Sequence, residues 1–380
     1  MNSISAEMRR YPKAFALFIC SLLSLNMVYG QDKVCLQKSI PYRSGKFSFS
    51  ACTGDFNGDG KPDVAVVNYN GDDMMILLNN GDGSFKAPVT YVTGHYPTSV
   101  KAADFNNDGK MDLAVSNVGT ETISIYFGNG DGTFKPKQDF PGGPFPCYVA
   151  VADFNKDKNM DIAISNDSSN TVTIMSGKGD GTFTQAGIFR VGEYPSPIVV
   201  SDFNGDGNAD LAVTNTGGNS VSVLLGKGDG TFARASEYAV GSYPNCIAAG
   251  DFSGTGKPDI ASVNSANGNV SVLVNKGDGT FTKGPTLPCG GGGPVSIVAV
   301  DLGKDGKIDL ALCNAGTNNI SVLVNDGKGN FADPITFQSG ISPICILADD
   351  FNKDGYWDFL TVDNNENGSV SIFLGCPPKQ

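Results

Sequence analysis

The sequence predicts an all-β protein, a seven-bladed β-propeller with four strands in each blade. A string close to D-F-N-x-D-G recurs along the chain, apolar residues alternate with polar ones between the recurrences, and Gly-Asp turns separate the alternating segments. A repeat of about 40 to 50 residues with strand periodicity is typical of propeller blades. The strings begin 49 residues apart, with one step of 50, at Asp55, Asp104, Asp153, Asp202, Asp251, Asp301 and Asp350.

The second unit illustrates the four predicted strands of a blade, at residues 98–103, 113–116, 122–127 and 135–140. Apolar residues alternate with a period of two in these segments, which indicates strands rather than helices. A glycine-rich hairpin turn that ends in phenylalanine joins the third strand to the fourth. We expect this phenylalanine to pack between blades.

The two ends of the chain are predicted to share the last blade. The chain has seven aspartate strings but six glycine-rich hairpin turns, and its last predicted strand, at residues 370–374, is a third strand. Residues 37–45 precede the first string and occupy the position of an outer strand. The N-terminal segment is therefore expected to complete blade 7 and close the ring, which removes an open sheet edge that invites aggregation.

Residues 1–30 are predicted to be a signal peptide and residues 31–380 the propeller. Arg9 and Lys13 precede an apolar run at 14–28, and Gly30 is a small residue at the expected cleavage site. The run is too short and too often interrupted by polar residues to span a membrane. We expect a monomeric protein that is secreted, or periplasmic or at the cell surface if the source is bacterial.

The first aspartate string has the composition of a calcium loop. Asp55, Asn57, Asp59 and Asp63 place side-chain oxygens at positions 1, 3, 5 and 9, and Lys61 offers its backbone carbonyl at position 7. Calcium takes about six to eight such oxygens. Much of the formal charge of −12 lies in these strings, so it is better explained as charge on metal ligands than as a solvated acidic surface. The same charge makes nucleic acid an unsuitable partner.

The other strings repeat these positions, so up to seven calcium ions are predicted. Lys158 replaces a glycine in the third loop, and Gly303 removes one side-chain ligand in the sixth. An EF-hand is excluded because Val66 stands where its position-12 glutamate is required, whereas metal-free turns remain the alternative. The further predicted ligands are Asp104, Asn106, Asp108, Lys110 and Asp112; Asp153, Asn155, Asp157, Asn159 and Asp161; Asp202, Asn204, Asp206, Asn208 and Asp210; Asp251, Ser253, Thr255, Lys257 and Asp259; Asp301, Asp305, Lys307 and Asp309; and Asp350, Asn352, Asp354, Tyr356 and Asp358.

The D-x-N-x-D-G-x-x-D loops, each followed by a strand, resemble FG-GAP/VCBS repeats, and the resemblance covers nearly all of the mature chain. Repeats of this kind form the N-terminal propeller of integrin α subunits. They also occur in bacterial extracellular proteins and in a fungal seven-bladed lectin. The resemblance implies blades stabilised by calcium and a role in adhesion or ligand recognition.

A ligand site is expected on the face opposite the calcium loops, because successive strands run in opposite directions. Aromatic rings cover the C–H surface of sugars or peptides, while amides satisfy their polar groups. The predicted partner is thus an extracellular glycan or protein. A purely structural role in turns is the alternative for these residues. The predicted ligand-binding residues are Tyr96, Phe145, Tyr194 and Tyr243, with Asn117, Asn166 and Asn215.

The sequence favours a binding module over an enzyme. His95 is the single histidine of the chain, so neither a histidine cluster nor repeated Ser-His pairs can form. A calcium-dependent polysaccharide lyase or hydrolase built on a propeller remains the alternative, because acid–base catalysis needs only paired carboxylates. A scaffold without a ligand site is a third interpretation.

Cysteine placement predicts one disulfide bond between the chain ends. Cys35 lies just before the N-terminal strand and Cys376 just after the last strand, so antiparallel pairing would bring them together. Cys289 and Cys313 are a second candidate pair in blade 6. Buried thiols are expected at the remaining positions, which fall on the first strands of alternate blades: Cys52, Cys147, Cys246 and Cys345.

Overall fold

The computed structural model describes residues 27–30, 34–38 and 41–377, and their strands form seven antiparallel sheets. The first strand of each sheet contacts the first strands of the neighbouring sheets, so the sheets are the blades of a ring and the predicted propeller is confirmed. Within these residues the helical content is one short 3₁₀ turn, Asp167–Ser169. No helix in the same residues is long and apolar enough to cross a membrane.

Each blade is described from its inner strand outward. Blade 1 contains Ser48–Gly54, Asp63–Asn68, Asp73–Leu77 and Val89–Val92. Blade 2 contains Pro97–Ala103, Asp112–Asn117, Thr122–Tyr126 and Gln138–Pro141. Blade 3 contains Pro146–Ala152, Asp161–Asn166, Thr171–Gly177 and Phe183–Arg190. Blade 4 contains Pro195–Ser201, Asp210–Asn215, Ser220–Leu224 and Ser236–Ala239.

The remaining blades follow the same order. Blade 5 contains Pro244–Gly250, Asp259–Asn264, Asn269–Asn275 and Phe281–Pro288. Blade 6 contains Pro294–Val300, Asp309–Asn314, Asn319–Leu323 and Ile335–Gln338. Blade 7 contains Pro343–Asp349, Asp358–Asp363, Ser369–Gly375 and, as its fourth strand, Val34–Lys38.

The N-terminal segment closes the ring, as predicted. Val34–Lys38 pairs antiparallel with Ser369–Gly375, and Tyr42–Arg43 continues the pairing on the same partner strand. The outer strand thus begins three residues before the predicted 37–45 segment and is interrupted between its two parts. The Cys35–Cys376 disulfide joins the same two strands, with Cα atoms 5.3 Å apart.

The predicted signal peptide lies outside the described residues except for its last four. Met27–Gly30 forms a strand that pairs antiparallel with Val34–Lys38 outside blade 7. Cleavage near Gln31 would remove this strand and leave Val34–Lys38 as the outermost one. Cleavage and secretion therefore stay predictions.

The core consists of seven apolar layers between neighbouring blades. Every residue of the second strands is buried, as in Asp112–Asn117, because both faces of each sheet are covered by another blade. The predicted packing of the turn phenylalanines is confirmed, since Phe134 of blade 2 contacts Phe56 of blade 1 edge to face at 5.5 Å. Apolar burial of this kind supplies most of the stability of a fold.

The predicted second disulfide is wrong, because Cys289 and Cys313 are free thiols. The alternation of side chains along strands gives the reason. Successive side chains of a strand point to opposite faces of its sheet. Cys289 packs in the layer between blades 5 and 6, whereas Cys313 packs in the layer between blades 6 and 7. The blade 6 sheet therefore separates the two sulfur atoms.

The disulfide generates a stability prediction. Replacing Cys35 and Cys376 by serine opens a loop that spans 341 residues, and such a change should lower the free energy of unfolding by about 2–5 kcal/mol. Urea denaturation of the double variant and the wild type measures this difference. Cys246→Ser, at a free thiol, is the control and should change stability less. Equal stability of the double variant and the wild type would contradict the prediction.

Candidate metal loops and ligand face

The last aspartate of each loop joins the two loops of its own blade. In blade 4, Asp210 is fully buried; Oδ2 accepts a hydrogen bond from the Phe203 amide at 2.8 Å, and Oδ1 accepts one from the Gly226 amide at 2.7 Å. Phe203 belongs to the aspartate loop, and Gly226 begins the hairpin turn between the third and fourth strands. The equivalent carboxylates of blades 1, 2, 3, 5 and 6 accept from the corresponding turn amides: Asp63, Asp112, Asp161, Asp259 and Asp309. In blade 7, which has no such turn, Asp358 accepts from the amide of Gly375 at the end of the third strand.

Burial raises the pKa of six of these carboxylates: Asp63, Asp112, Asp161, Asp210, Asp309 and Asp358. Loss of hydration raises the pKa of Asp112 to about 6 and that of Asp358 to about 7, and the backbone donors offset part of this rise. The nearby carboxylates of Asp104 and Asp108 raise the pKa of Asp112 further. The carboxylates at positions 1, 5 and 9 are therefore close enough to repel one another.

The exposed part of each loop is a compact turn held by its own side chains. In the first loop, Asp55 accepts three backbone hydrogen bonds, from the amides of Gly58, Asp59 and Gly60, at 2.8–3.1 Å. Asn57 Oδ1 accepts a further bond from the Asp59 amide at 2.9 Å. The positive φ angles of Gly58 and Gly60, 74° and 77°, allow this tight path.

The donor chemistry of the loops fits calcium. Positions 1, 3 and 5 supply carboxylate and amide oxygens on one loop, which are the hard ligands that calcium prefers. Each of these side chains has lone pairs beyond those that its backbone donors use. Within the described residues, however, no group of three or more acidic, thiol or imidazole side chains is arranged to hold a metal ion. Calcium binding therefore stays a prediction for these loops.

Three loops, the third, fifth and sixth, depart from the common pattern, and the sixth has Gly303 where a side-chain ligand stands in the first loop. In the third loop, Lys156 and Lys158 adopt the left-handed conformation, with φ of 61° and 71°, where the first loop has glycines. In the fifth loop, Ser253 Oγ lies 3.2 Å from Thr255 Oγ1, so two hydroxyls replace an amide and a carboxylate. The backbone path of the fifth loop is thus kept, although this loop has one carboxylate ligand fewer than the first loop.

Four exposed aromatic residues lie on the opposite face, each directly before an inner strand. Tyr96, Phe145, Tyr194 and Tyr243 are all left-handed, with φ between 54° and 60°. The Tyr194 amide donates to Asn170 Oδ1 at 2.9 Å, and its carbonyl accepts from the Thr216 amide at 2.9 Å. A left-handed bulky residue is uncommon, costs about 1–2 kcal/mol and occurs more often at functional sites. The backbone is fixed on both sides, and the ring is left to solvent.

The asparagines predicted as ligand residues are internal instead, so that prediction was wrong. Asn117, Asn166 and Asn215 have no exposed surface, because each ends a second strand between two blades. Asn117 Oδ1 accepts from the Gly94 amide, and Asn166 Nδ2 donates to the Gly142 carbonyl. These amides thus hold the connection between blades and are out of reach of a ligand.

Two of the aromatic residues border one cleft. A cavity of about 610 Å³ lies between Tyr194 and Tyr243, with Asp167, Thr216 and Asn245 among its polar lining residues. Burial raises the pKa of Asp167. Asp167, Thr216 and Asn245 lie at fixed positions in the repeat relative to the aspartate loops. This spacing is the only signal in the sequence that could have identified them. Polar turn residues are too common for that signal to be specific.

The other two exposed aromatic residues, Tyr96 and Phe145, do not line this cleft. Tyr96 stacks on Tyr69, with ring centres 4.9 Å apart, and Tyr69 contacts Phe49 in turn. His95 lies beside Tyr96, where its Nδ1 is 2.7 Å from Asp72 Oδ2 and its side chain is largely exposed. Of the predicted aromatic ligand residues, Tyr194 and Tyr243 therefore border the cleft, Tyr96 belongs to a separate aromatic stack, and Phe145 lies outside the cleft.

These features define a class, the propellers built from repeated aspartate loops. The chain belongs to the FG-GAP-like repeat family: the family model matches residues 55–115, 112–164, 153–213, 202–262, 251–312 and 304–361. None of the curated proteins compared with the chain matches it in sequence.

The chain resembles several solved structures that are distant in sequence. The chain is similar to BBS1N, solved in complex with ARL6DN, at 14% identity with a TM-score of 0.65, over 89% of this chain and 96% of that one. It is similar to a putative 6-phosphogluconolactonase of Bacteroides fragilis at 17% identity and a TM-score of 0.63, over 84% and 94%. A lectin of Agrocybe aegerita that recognises non-reducing terminal N-acetylglucosamine is 21% identical, with a TM-score of 0.56, over 85% and 84%. Identities this low show the fold alone.

The two kinds of loop aspartate should respond differently to substitution. In Asp210→Asn, the new amide cannot accept from both backbone N–H groups, so the free energy of unfolding should fall by about 1–3 kcal/mol even without calcium. Asp206→Asn, at the exposed position 5 of the same loop, is the matched variant and should change metal-free stability less. Urea denaturation in EDTA measures both. An equal loss in the two variants would contradict the structural role of Asp210.

Proposed function

We propose that this protein is a secreted, calcium-stabilised binding module that recognises an extracellular glycan in the cleft between Tyr194 and Tyr243. The observation that carries the proposal is the cleft itself, in which two exposed rings held by a fixed backbone flank a polar lining. The lectin among the similar structures supports only the point that this fold can serve glycan recognition.

The cleft has the chemistry that a sugar requires. Tyr194 and Tyr243 are more than half exposed, so each presents an aromatic face to solvent. Such faces cover the C–H surface of a sugar ring, and the nearby carboxylate, amide and hydroxyl of Asp167, Asn245 and Thr216 can satisfy its hydroxyls. Because the rings are already fixed, binding would order few further groups.

Calcium is proposed to stabilise the opposite face and not to contact the ligand. The aspartate loops and the cleft lie at opposite ends of the inner strands: Asp202 follows the end of Pro195–Ser201, and Tyr194 precedes its beginning. The residues that would hold the ion are those at positions 1, 3, 5 and 9, with the backbone carbonyl of position 7. An ion there would supply positive charge that offsets repulsion between the loop carboxylates.

Binding is favoured over catalysis because of the carboxylate content of the cleft. Glycoside hydrolysis commonly uses a pair of carboxyl groups. Asp167 is the one acidic residue among those that line the cleft, and no histidine lines it. Incubating the protein with a polysaccharide panel and measuring new reducing ends tests this point. Turnover by the wild type that is lost in Asp167→Asn would establish an enzyme instead.

Calcium dependence should increase with pH. The raised pKa of buried aspartates such as Asp63, about 6 against an ordinary 3.8, stabilises the metal-free fold below about pH 4, and this contribution is lost as pH rises through 6. Calcium requires ionised carboxylates. The gain in melting temperature on adding calcium should therefore be larger at pH 7.5 than at pH 5. Calorimetry with magnesium as the control measures it, and no effect of calcium or EDTA at pH 7.5 would contradict the proposed metal sites.

The ligand site is tested by removing the two rings. Tyr194→Ala with Tyr243→Ala should weaken glycan binding by at least about thirtyfold, since central aromatic residues often contribute about 2 kcal/mol or more. A glycan array identifies the best glycan for the wild type, and calorimetry then measures its affinity for each variant. Tyr96→Ala is the matched control, because Tyr96 has the same conformation but stacks on Tyr69. Unchanged affinity in the double variant, or no bound glycan for the wild type, would overturn this site.

A further inference from the structure

The central channel of the propeller contains a second cavity, which adjoins the ligand cleft at Cys147, Ser196 and Asn245. Its volume is about 650 Å³, within the range of about 300–1,000 Å³ that small-molecule sites occupy. The inner strands line it, with apolar side chains such as Val199, Val298 and Ile346. Lys101 is the one charged residue among the lining residues.

Lys101 is exceptional within the repeat. It stands three residues before its loop anchor, Asp104, and every other blade has an uncharged residue at that position. The equivalents are Cys52, Ala150, Val199, Ala248, Val298 and Leu347. Six of the seven blades thus form without a charge at this position, so the fold does not require one there.

Among the described residues, no carboxylate pairs with the positive charge of Lys101. Its Nζ lies 5.1 Å from the centre of the Tyr148 ring in a cation–π contact, and a side-chain hydrogen bond also links Lys101 to Tyr148; neither contact changes the net charge. None of the ion pairs found in the described residues includes Lys101. Burial raises the pKa of the nearby Cys52 thiol to about 12 and that of Cys345 to about 11, so both thiols are neutral at neutral pH.

We propose that the channel binds a small monocarboxylic acid with an apolar body, its carboxylate on Lys101 Nζ and its hydrocarbon part against the walls. An ammonium in a mostly apolar cavity is costly unless it is paired, and a carboxylate is the partner that forms a charge-assisted hydrogen bond with it. The apolar walls favour a hydrocarbon body over a hydrated inorganic anion. This site does not depend on the glycan cleft.

The competing interpretation is that Lys101 only packs on Tyr148. The protein offers a matched pair for comparison, because Lys304 Nζ lies 4.8 Å from the Tyr356 ring in a cation–π contact between two aspartate loops, away from the channel. Neither Lys304 nor Tyr356 is among the residues that line the channel cavity. Lys304→Met thus removes the same kind of contact without changing the channel.

Calorimetry with sodium octanoate and with octan-1-ol tests the proposal. Octanoate should bind the wild type with one molecule per chain and at least about tenfold more tightly than octanol, which has the same chain length without the charge. Lys101→Met should lower octanoate affinity by about tenfold or more, Lys101→Arg should retain it, and Lys304→Met should not affect it. The Tyr194→Ala, Tyr243→Ala variant should also bind octanoate normally, which distinguishes this site from the proposed glycan site.

The proposal is overturned if the wild type does not bind octanoate, or binds octanoate and octanol equally. It is also overturned if a folded Lys101→Met variant keeps full octanoate affinity, since Lys101 would then only pack on Tyr148. Circular dichroism establishes whether that variant folds. If it does not fold, the comparison of octanoate with octanol on the wild type decides the question.

Discussion

The buried aspartate at the end of each loop is the interaction on which the rest of the structure depends. One carboxylate accepts a backbone hydrogen bond from the aspartate loop with one oxygen and from the hairpin turn with the other, as Asp210 does with Phe203 and Gly226. Two connections that are separate along the chain are thereby fixed at the same end of a blade. A carboxylate is well suited to this position because it only accepts, and both donors are backbone amides.

The same loops join neighbouring blades. The Phe56 carbonyl accepts from the Gly132 amide of the next blade at 2.9 Å, while the Phe56 ring packs edge to face on Phe134. Across the closing junction, Asn79 Nδ2 donates to the Phe351 carbonyl at 2.9 Å. The loop face therefore carries a belt of hydrogen bonds and aromatic contacts between neighbouring blades, and the Cys35–Cys376 bond ties the chain ends within blade 7.

The contacts that join the blades and the proposed ligand cleft thus lie in different parts of the propeller. The belt on the loop face leaves the opposite face free to hold aromatic residues in a conformation that is unfavourable for them, as at Tyr194 and Tyr243. The channel is a third environment, because its walls come from inner strands whose second faces are already supported by neighbouring blades. A side chain such as Lys101 can be accommodated there without disturbing either face.

The sequence by itself determined the blade count, the strand order, the closure of the ring by the N-terminal segment and the packing of the turn phenylalanines. These features follow from spacing and from period-two alternation, which are set by residues near one another in the chain. The aromatic residues of the ligand face were also predicted from the sequence, because each precedes a proline at a fixed place in the repeat.

Only the tertiary structure decided which way particular side chains point. Asn117, Asn166 and Asn215 are polar and end strands, yet the neighbouring blades enclose them, and Cys289 and Cys313 lie in different layers because one sheet separates them. The isolation of Lys101 among neutral residues is likewise visible only once the blades surround the channel. Repeat spacing fixes where a residue falls in a blade, but its surroundings come from residues of other blades, distant in sequence, whose positions the local pattern does not contain.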